Sequence, residues 1–116
     1  MQDLTPGDYL VFQLEAGYAL IRLIGKDEQN GDSVWHVAAF NEMFPDVDSA
    51  EQAAVENKLR LSLPHAALTT RAFESTQTAR ISRAPVTEEE TARIDEWRTT
   101  NGDVSDRSIR LMLGLR

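Results

Sequence analysis

Asp8-Tyr9-Leu10-Val11-Phe12-Gln13-Leu14 and Tyr18-Ala19-Leu20-Ile21-Arg22-Leu23-Ile24, joined by Glu15-Ala16-Gly17, decide the fold. Both runs are rich in aromatic and β-branched residues, which suit a pleated, half-buried surface. Alternation puts Leu10, Phe12 and Leu14 on one face of the first strand. Ala19, Ile21 and Leu23 answer them on the second, across a short connection whose Gly17 can adopt positive φ. The opposite faces carry Tyr9, Val11 and Gln13, then Tyr18, Leu20, Arg22 and Ile24. That set is not one to leave freely solvated. Ser33-Val34-Trp35-His36-Val37-Ala38-Ala39-Phe40 reads as a third strand, apolar on both faces. Such a strand is covered on both sides, by helices or by closure into a small barrel.

Outward from this core, Lys26-Asp27-Glu28-Gln29-Asn30-Gly31-Asp32 reads as a polar loop with Asn-Gly at its tip, and residues 41–48 as a turn around Pro45. A short helix over 48–57, capped by Asp48, follows. Residues 59–63 alternate as a fourth strand, 64–74 lean towards a helix ending near Phe73, and 76–82 form a fifth strand stopped by Pro85. Thr87-Glu88-Glu89-Glu90 is a capping-box sequence with three carboxylates at the positive helix end. That helix runs to about Thr99, buries Ile94 and Trp97, and ends at Asn101-Gly102. A last helix, capped by Asp103 or Ser105, presents Ile109, Met112 and Leu113. The expected architecture is α+β: a bent antiparallel sheet or small SH3-like β-barrel with the C-terminal helices packed on it. It forms one domain over 1–116, sheet-rich over 1–83 and a helical hairpin over 84–116.

Composition narrows the function. The 116 residues contain no cysteine, which removes disulfides, thiolate metal sites and cysteine nucleophiles. No basic-then-apolar leader opens the chain and no apolar run approaches the ~20 residues of a membrane span, so the expected location is cytoplasmic. Residues 1–79 carry five basic groups against twelve acidic ones, which accounts for the whole formal charge of −7. Such a surface repels a phosphate backbone and suits solubility or a basic protein partner.

Pro6-Gly7-Asp8-Tyr9-Leu10-Val11-Phe12-Gln13-Leu14 with Gly17-Tyr18-Ala19-Leu20-Ile21-Arg22 resembles the opening of bacterial immunity proteins of the immunity protein 26 type. The resemblance covers about a quarter of the chain. It implies a cytoplasmic, non-catalytic protein that neutralises a toxin by direct contact. The acidic N-terminal region would suit a basic toxin such as a nuclease.

The candidate partner surface is Tyr9, Tyr18, Arg22 and Trp35, since aromatic residues and arginine make effective interface anchors. His36 lies beside it, although for Trp35 core packing is the stronger reading. Two alternatives stand. A helix-turn-helix-like pair over 87–115 would project Arg107, Ser108 and Arg110 at DNA, against the cancelling charge of Glu88, Glu89, Glu90, Asp95 and Glu96. A small enzyme would need a cleft around His36. No phosphate loop, nucleophile elbow or dinucleotide fingerprint is present. His36 and His65 are few for zinc, and Asp46-Val47-Asp48…Glu51 lacks the glycine and glutamate of a calcium loop. Neither a metal nor a cofactor is expected.

Overall fold

The alternation of the first hairpin is realised in its pairing: Leu10 lies opposite Ile21 and Phe12 opposite Ala19. The computed structural model describes residues 4–114. Their elements run β1 (Asp8–Leu14), β2 (Gly17–Gln29), β3 (Asp32–Phe44), α1 (Val47–Val55), β4 (Leu61–Thr69), α2 (Thr70–Glu74), β5 (Ala79–Arg83), α3 (Glu88–Thr99) and α4 (Ile109–Leu113). The strands form one antiparallel sheet in the order β4-β3-β2-β1-β5. With β4 and β5 at opposite edges, the fold is α+β with a bent, unclosed sheet, and the barrel alternative falls away.

Each face of the sheet carries two helices. Leu10, Phe12, Leu14, Ile21, Leu23, Val37 and Leu68 point to one side, where Ala72 and Phe73 of α2 and Ile109 of α4 join them. On the other side Tyr9, Val11 and Leu20 receive Ala50 and Ala54 of α1, and Ile24 and Ala38 receive Ile94 of α3. The expected C-terminal helical hairpin is therefore corrected, because α3 and α4 lie on opposite faces. Between them the chain runs to the edge of β4, where Ser105 bridges Leu68 in parallel. There the Ser105 amide donates to Ala67 O at 2.8 Å and the Thr69 amide donates to Ser105 O at 3.0 Å.

Several element boundaries also move. Residues 26–29 and 32 are strand, not loop: Lys26 pairs with Trp35 and Gln29 with Asp32. Only Asn30 and Gly31 form the turn, both at positive φ (54° and 85°), a two-residue connection that follows the strand twist. Residues 61–69 form β4, so the helix expected from Pro64 begins only at Thr70. Pairing of Ala66 with Val37 and Leu68 with Trp35 overrides local helix propensity there. Pro64 sits in a bulge of this edge strand, where its missing N–H costs nothing. Helix α1 is capped by Asp46, whose side chain accepts from the Ser49 amide at 2.7 Å, and α4 by Ser108. Asp48 is instead a first-turn acid, and neither Asp103 nor Ser105 caps a helix. The capping box of α3 forms as expected, with Thr87 and Glu90 exchanging bonds.

The start of β1 depends on Gly7, which has φ 103° and donates to Leu23 O at 2.7 Å. A Cβ there would meet Ala84 O at 2.5 Å. Gly7→Ala should therefore destabilise the fold by about 2–3 kcal/mol with an unchanged denaturant slope. A urea titration showing a loss below ~0.5 kcal/mol would contradict this close approach.

Candidate functional site

Arg22, on the face covered by α1 and α3, is 2% exposed. Its Nε donates to Glu90 Oε2 at 2.7 Å and its Nη2 to Glu90 Oε1 at 3.0 Å. Nη1 donates to Gly7 O, and Nη2 also to Pro85 O and Ala84 O. The Tyr9 ring lies 4.6 Å from the guanidinium carbon. Burial pushes the Glu90 carboxyl up, but the Arg22 guanidinium and the Thr87 amide outweigh it and hold Glu90 below the usual carboxylate range. Tyr9, 8% exposed, is likewise buried. The candidate partner surface at Tyr9 and Arg22 is thus corrected: both are interior residues, Tyr9 in the cluster under α1 and Arg22 tied to α3.

His36 has the same fate with different chemistry. Two bulges frame it. On β2, Leu23 pairs with Val37 and Gly25 with His36, leaving Ile24 as the extra residue. That shift turns Asp27 towards α3. On β4, Ala66 pairs with Val37 and Leu63 with Ala39, so Pro64 and His65 together oppose Ala38. The result is a continuous polar array. His36 Nε2 lies 3.0 Å from Asp27 Oδ2 and His36 Nδ1 lies 2.8 Å from His65 Nε2. Arg98 of α3 donates to both Asp27 oxygens, at 2.6 and 3.1 Å. Trp97 presents its ring edge-on to His36, with centroids 4.7 Å apart. Gly102 makes room for that indole, since a Cβ there would lie 2.1 Å from Trp97 Cδ1.

Charge is distributed unequally along the array. Hydrogen bonding from Arg98, then from His36, outweighs burial and lowers the Asp27 carboxyl. Burial lowers the His36 imidazole although Asp27 opposes it. His65 falls from its ordinary 6.5 to about 4 through burial, then repulsion from His36 and Arg93. A carboxylate only accepts, so neutral His36 donates from Nε2 to Asp27 and accepts at Nδ1 from His65. The array can hold and pass a proton. His36 itself is 0% exposed beneath Trp97, so the cleft that the enzyme alternative needs around it is not formed; of the array, half-buried His65 and partly exposed Asp27 meet solvent.

The remaining candidates scatter. Tyr18 packs against the cluster under α1. Trp35 lies on the opposite face from His36, stacked on Phe73 at 4.4 Å, with Lys26 Nζ 4.4 Å from its ring and its indole N–H donating to Thr70. Arg107 is exposed ahead of α4, and Arg110 is half-buried within that five-residue helix. A helix this short on the face opposite α3 does not form the helix-turn-helix-like pair that the DNA-binding alternative needs. Among the described residues no group of three or more His, Asp or Glu could hold a metal ion. None of their helices is long and apolar enough to cross a membrane. Asp27 and His65 escape sequence reasoning because the bulges, not the alternation, bring them to His36.

No family model, curated protein or solved structure matches this chain.

Two measurements check the site. Arg22→Met leaves a buried carboxylate and should cost about 3–5 kcal/mol by chemical denaturation. Adding Glu90→Gln, which keeps the cap without the charge, should recover part of that loss. For His65 the unfolded chain takes up a proton between pH 6.5 and about 4 that the folded chain refuses. Stability is therefore full above 6.5 and falls as pH drops through this window, by ~2 kcal/mol once solvent screening of the half-buried ring is allowed for. Melting curves of His65→Gln should lose that part of the acid sensitivity, and an unchanged pH profile would refute the assignment.

Proposed function

We propose that this chain is a non-enzymatic, cytoplasmic binding protein that engages a basic protein partner through the outward face of α1. Toxin neutralisation by direct contact is its most concrete form. The observation that carries the reading is the mixed acidic and apolar surface of that helix. Val47 is 38% and Val55 70% exposed, and Met43, just before the helix, is 43% exposed. Val47, Glu51 and Val55 recur at i, i+4 and i+8, so they share one face, with Asp48 beside them. No ion pair among the described residues involves Asp48 or Glu51. Exposed valines at the two ends of that face and unneutralised carboxylates between them are what a basic, partly apolar surface would meet.

The distribution of arginine supports the same partner chemistry. Arg22, Arg60, Arg71, Arg80, Arg83 and Arg98 are each engaged with carboxylates of the chain itself. The surplus that faces outward is negative, which favours a basic protein over a phosphate backbone. The resemblance of residues 6–22 to immunity proteins supplies the biological form of the proposal.

The test is a binding titration against the product of the gene immediately upstream, where a toxin gene is expected. Wild type should bind, with affinity falling as salt rises. Glu51→Lys with Val55→Asp should weaken binding at least tenfold, while the melting temperature shifts little, since both positions are exposed. Unaltered affinity in the double variant would remove α1 from the interface. Absence of binding by wild type would count against the function itself.

A further inference from the structure

We propose that α3 is an acid-released strap, whose C-terminal half lets go of the sheet when the array of Asp27, His36 and His65 gains protons. The proposal is independent of the binding role of α1 and rests on how α3 is fastened. Ile94 is its one fully buried apolar side chain among the described residues. The helix is otherwise held at its two ends by polar contacts. At the N-terminal end Glu90 grips Arg22. At the C-terminal end Arg98 grips Asp27, Trp97 covers His36, and Arg93 donates to Pro64 O at 3.3 Å. The charged or titratable groups around His36 are Asp27 from β2, His65 from β4, and Arg93, Asp95 and Arg98 from α3. Glu28 of β2 lines the same recess as Asp27, Trp97 and Arg98.

Protons enter this array in a forced order. In the neutral state the one imidazole nitrogen without an internal role is His65 Nδ1. A first proton placed there keeps the chain of bonds intact but sets a cation between His36 and the Arg93 guanidinium. A second must go to Nδ1 of His36, and both rings then donate towards each other across 2.8 Å. That bond is lost, two imidazolium rings repel, and the positive charge on His36 competes with Arg98 for Asp27. The sheet is fastened by its ladders and by the core on its other face, so the weaker attachment yields. Glu90 stays ionised in mild acid and keeps its hold on Arg22, so α3 hinges from its N-terminal turn. Its departure would uncover Ile24, Gly25 and Ala38.

Amide hydrogen exchange of the full chain, expressed as protection factors at about pH 7 and about pH 4.5, tests this directly. Amides of residues 95–99 should lose at least tenfold more protection in acid than those of β1, β2 and β3. His65→Gln retains a donor for His36 but does not titrate, and should abolish most of that difference. Arg98→Met removes the clamp and should release the same amides at neutral pH. Equal loss of protection in helix and sheet would mean ordinary acid unfolding and overturn the strap. So would an acid response undiminished in His65→Gln.

Discussion

A guanidinium can occupy the interior of a domain only where acceptors meet its donors, and Arg22 enforces that condition on the whole fold. Its partners come from four separate places: the turn before β1, the exit of β5, the segment leading to α3, and Glu90 within α3. None of these is close to Arg22 in sequence, and each must be in position before the charge is satisfied. Glu90 adds a second constraint, because the same carboxylate closes the capping box of its helix. A single residue thus starts α3, aims it, and neutralises the buried cation. Replacing a buried pair by apolar residues is often neutral in stability, so its value lies in specifying one arrangement.

Against this rigid end stands a softer one. The Asp27–His36–His65 array fastens the far end of α3 through neutral imidazoles, whose hydrogen bonds depend on pH where Glu90, held below the usual carboxylate range, keeps its charge. One helix is consequently attached by two kinds of chemistry with different sensitivities. The apolar contribution between them is small: burial of an isoleucine is worth roughly 1.5–3 kcal/mol.

The parts of the fold visible in sequence are those governed by one local rule. Leu10, Phe12, Ala19 and Ile21 alternate, and they pair as alternation demands. Thr87 and Glu90 have capping spacing, and they cap. The doubly apolar third strand is covered on both faces. What was not visible depends on interruptions of those rules. Asp27 looks like a loop residue because the polar run around it resembles a turn, yet strand pairing continues to Gln29. The bulge at Ile24 then shifts the phase, so counting by twos past Leu23 would give Asp27 the wrong face. The bulge at Pro64 does the same for His65. Arg22 stands out in the sequence but its full burial does not, because sequence records the charge and not the distant carboxylate that permits burial.

The short parallel bridge between Leu68 and Ser105 has a consequence for how molecules of this protein meet one another. An open sheet has two rims, and a rim with unsatisfied amides and carbonyls is a template on which a neighbouring chain can add itself. Along the latter part of β4 that template is already filled: Ser105 takes up the Ala67 carbonyl and the Thr69 amide. The linker between two helices therefore acts as a stopper, and continuous sheets between molecules are discouraged at the rim where β4 would otherwise lie bare.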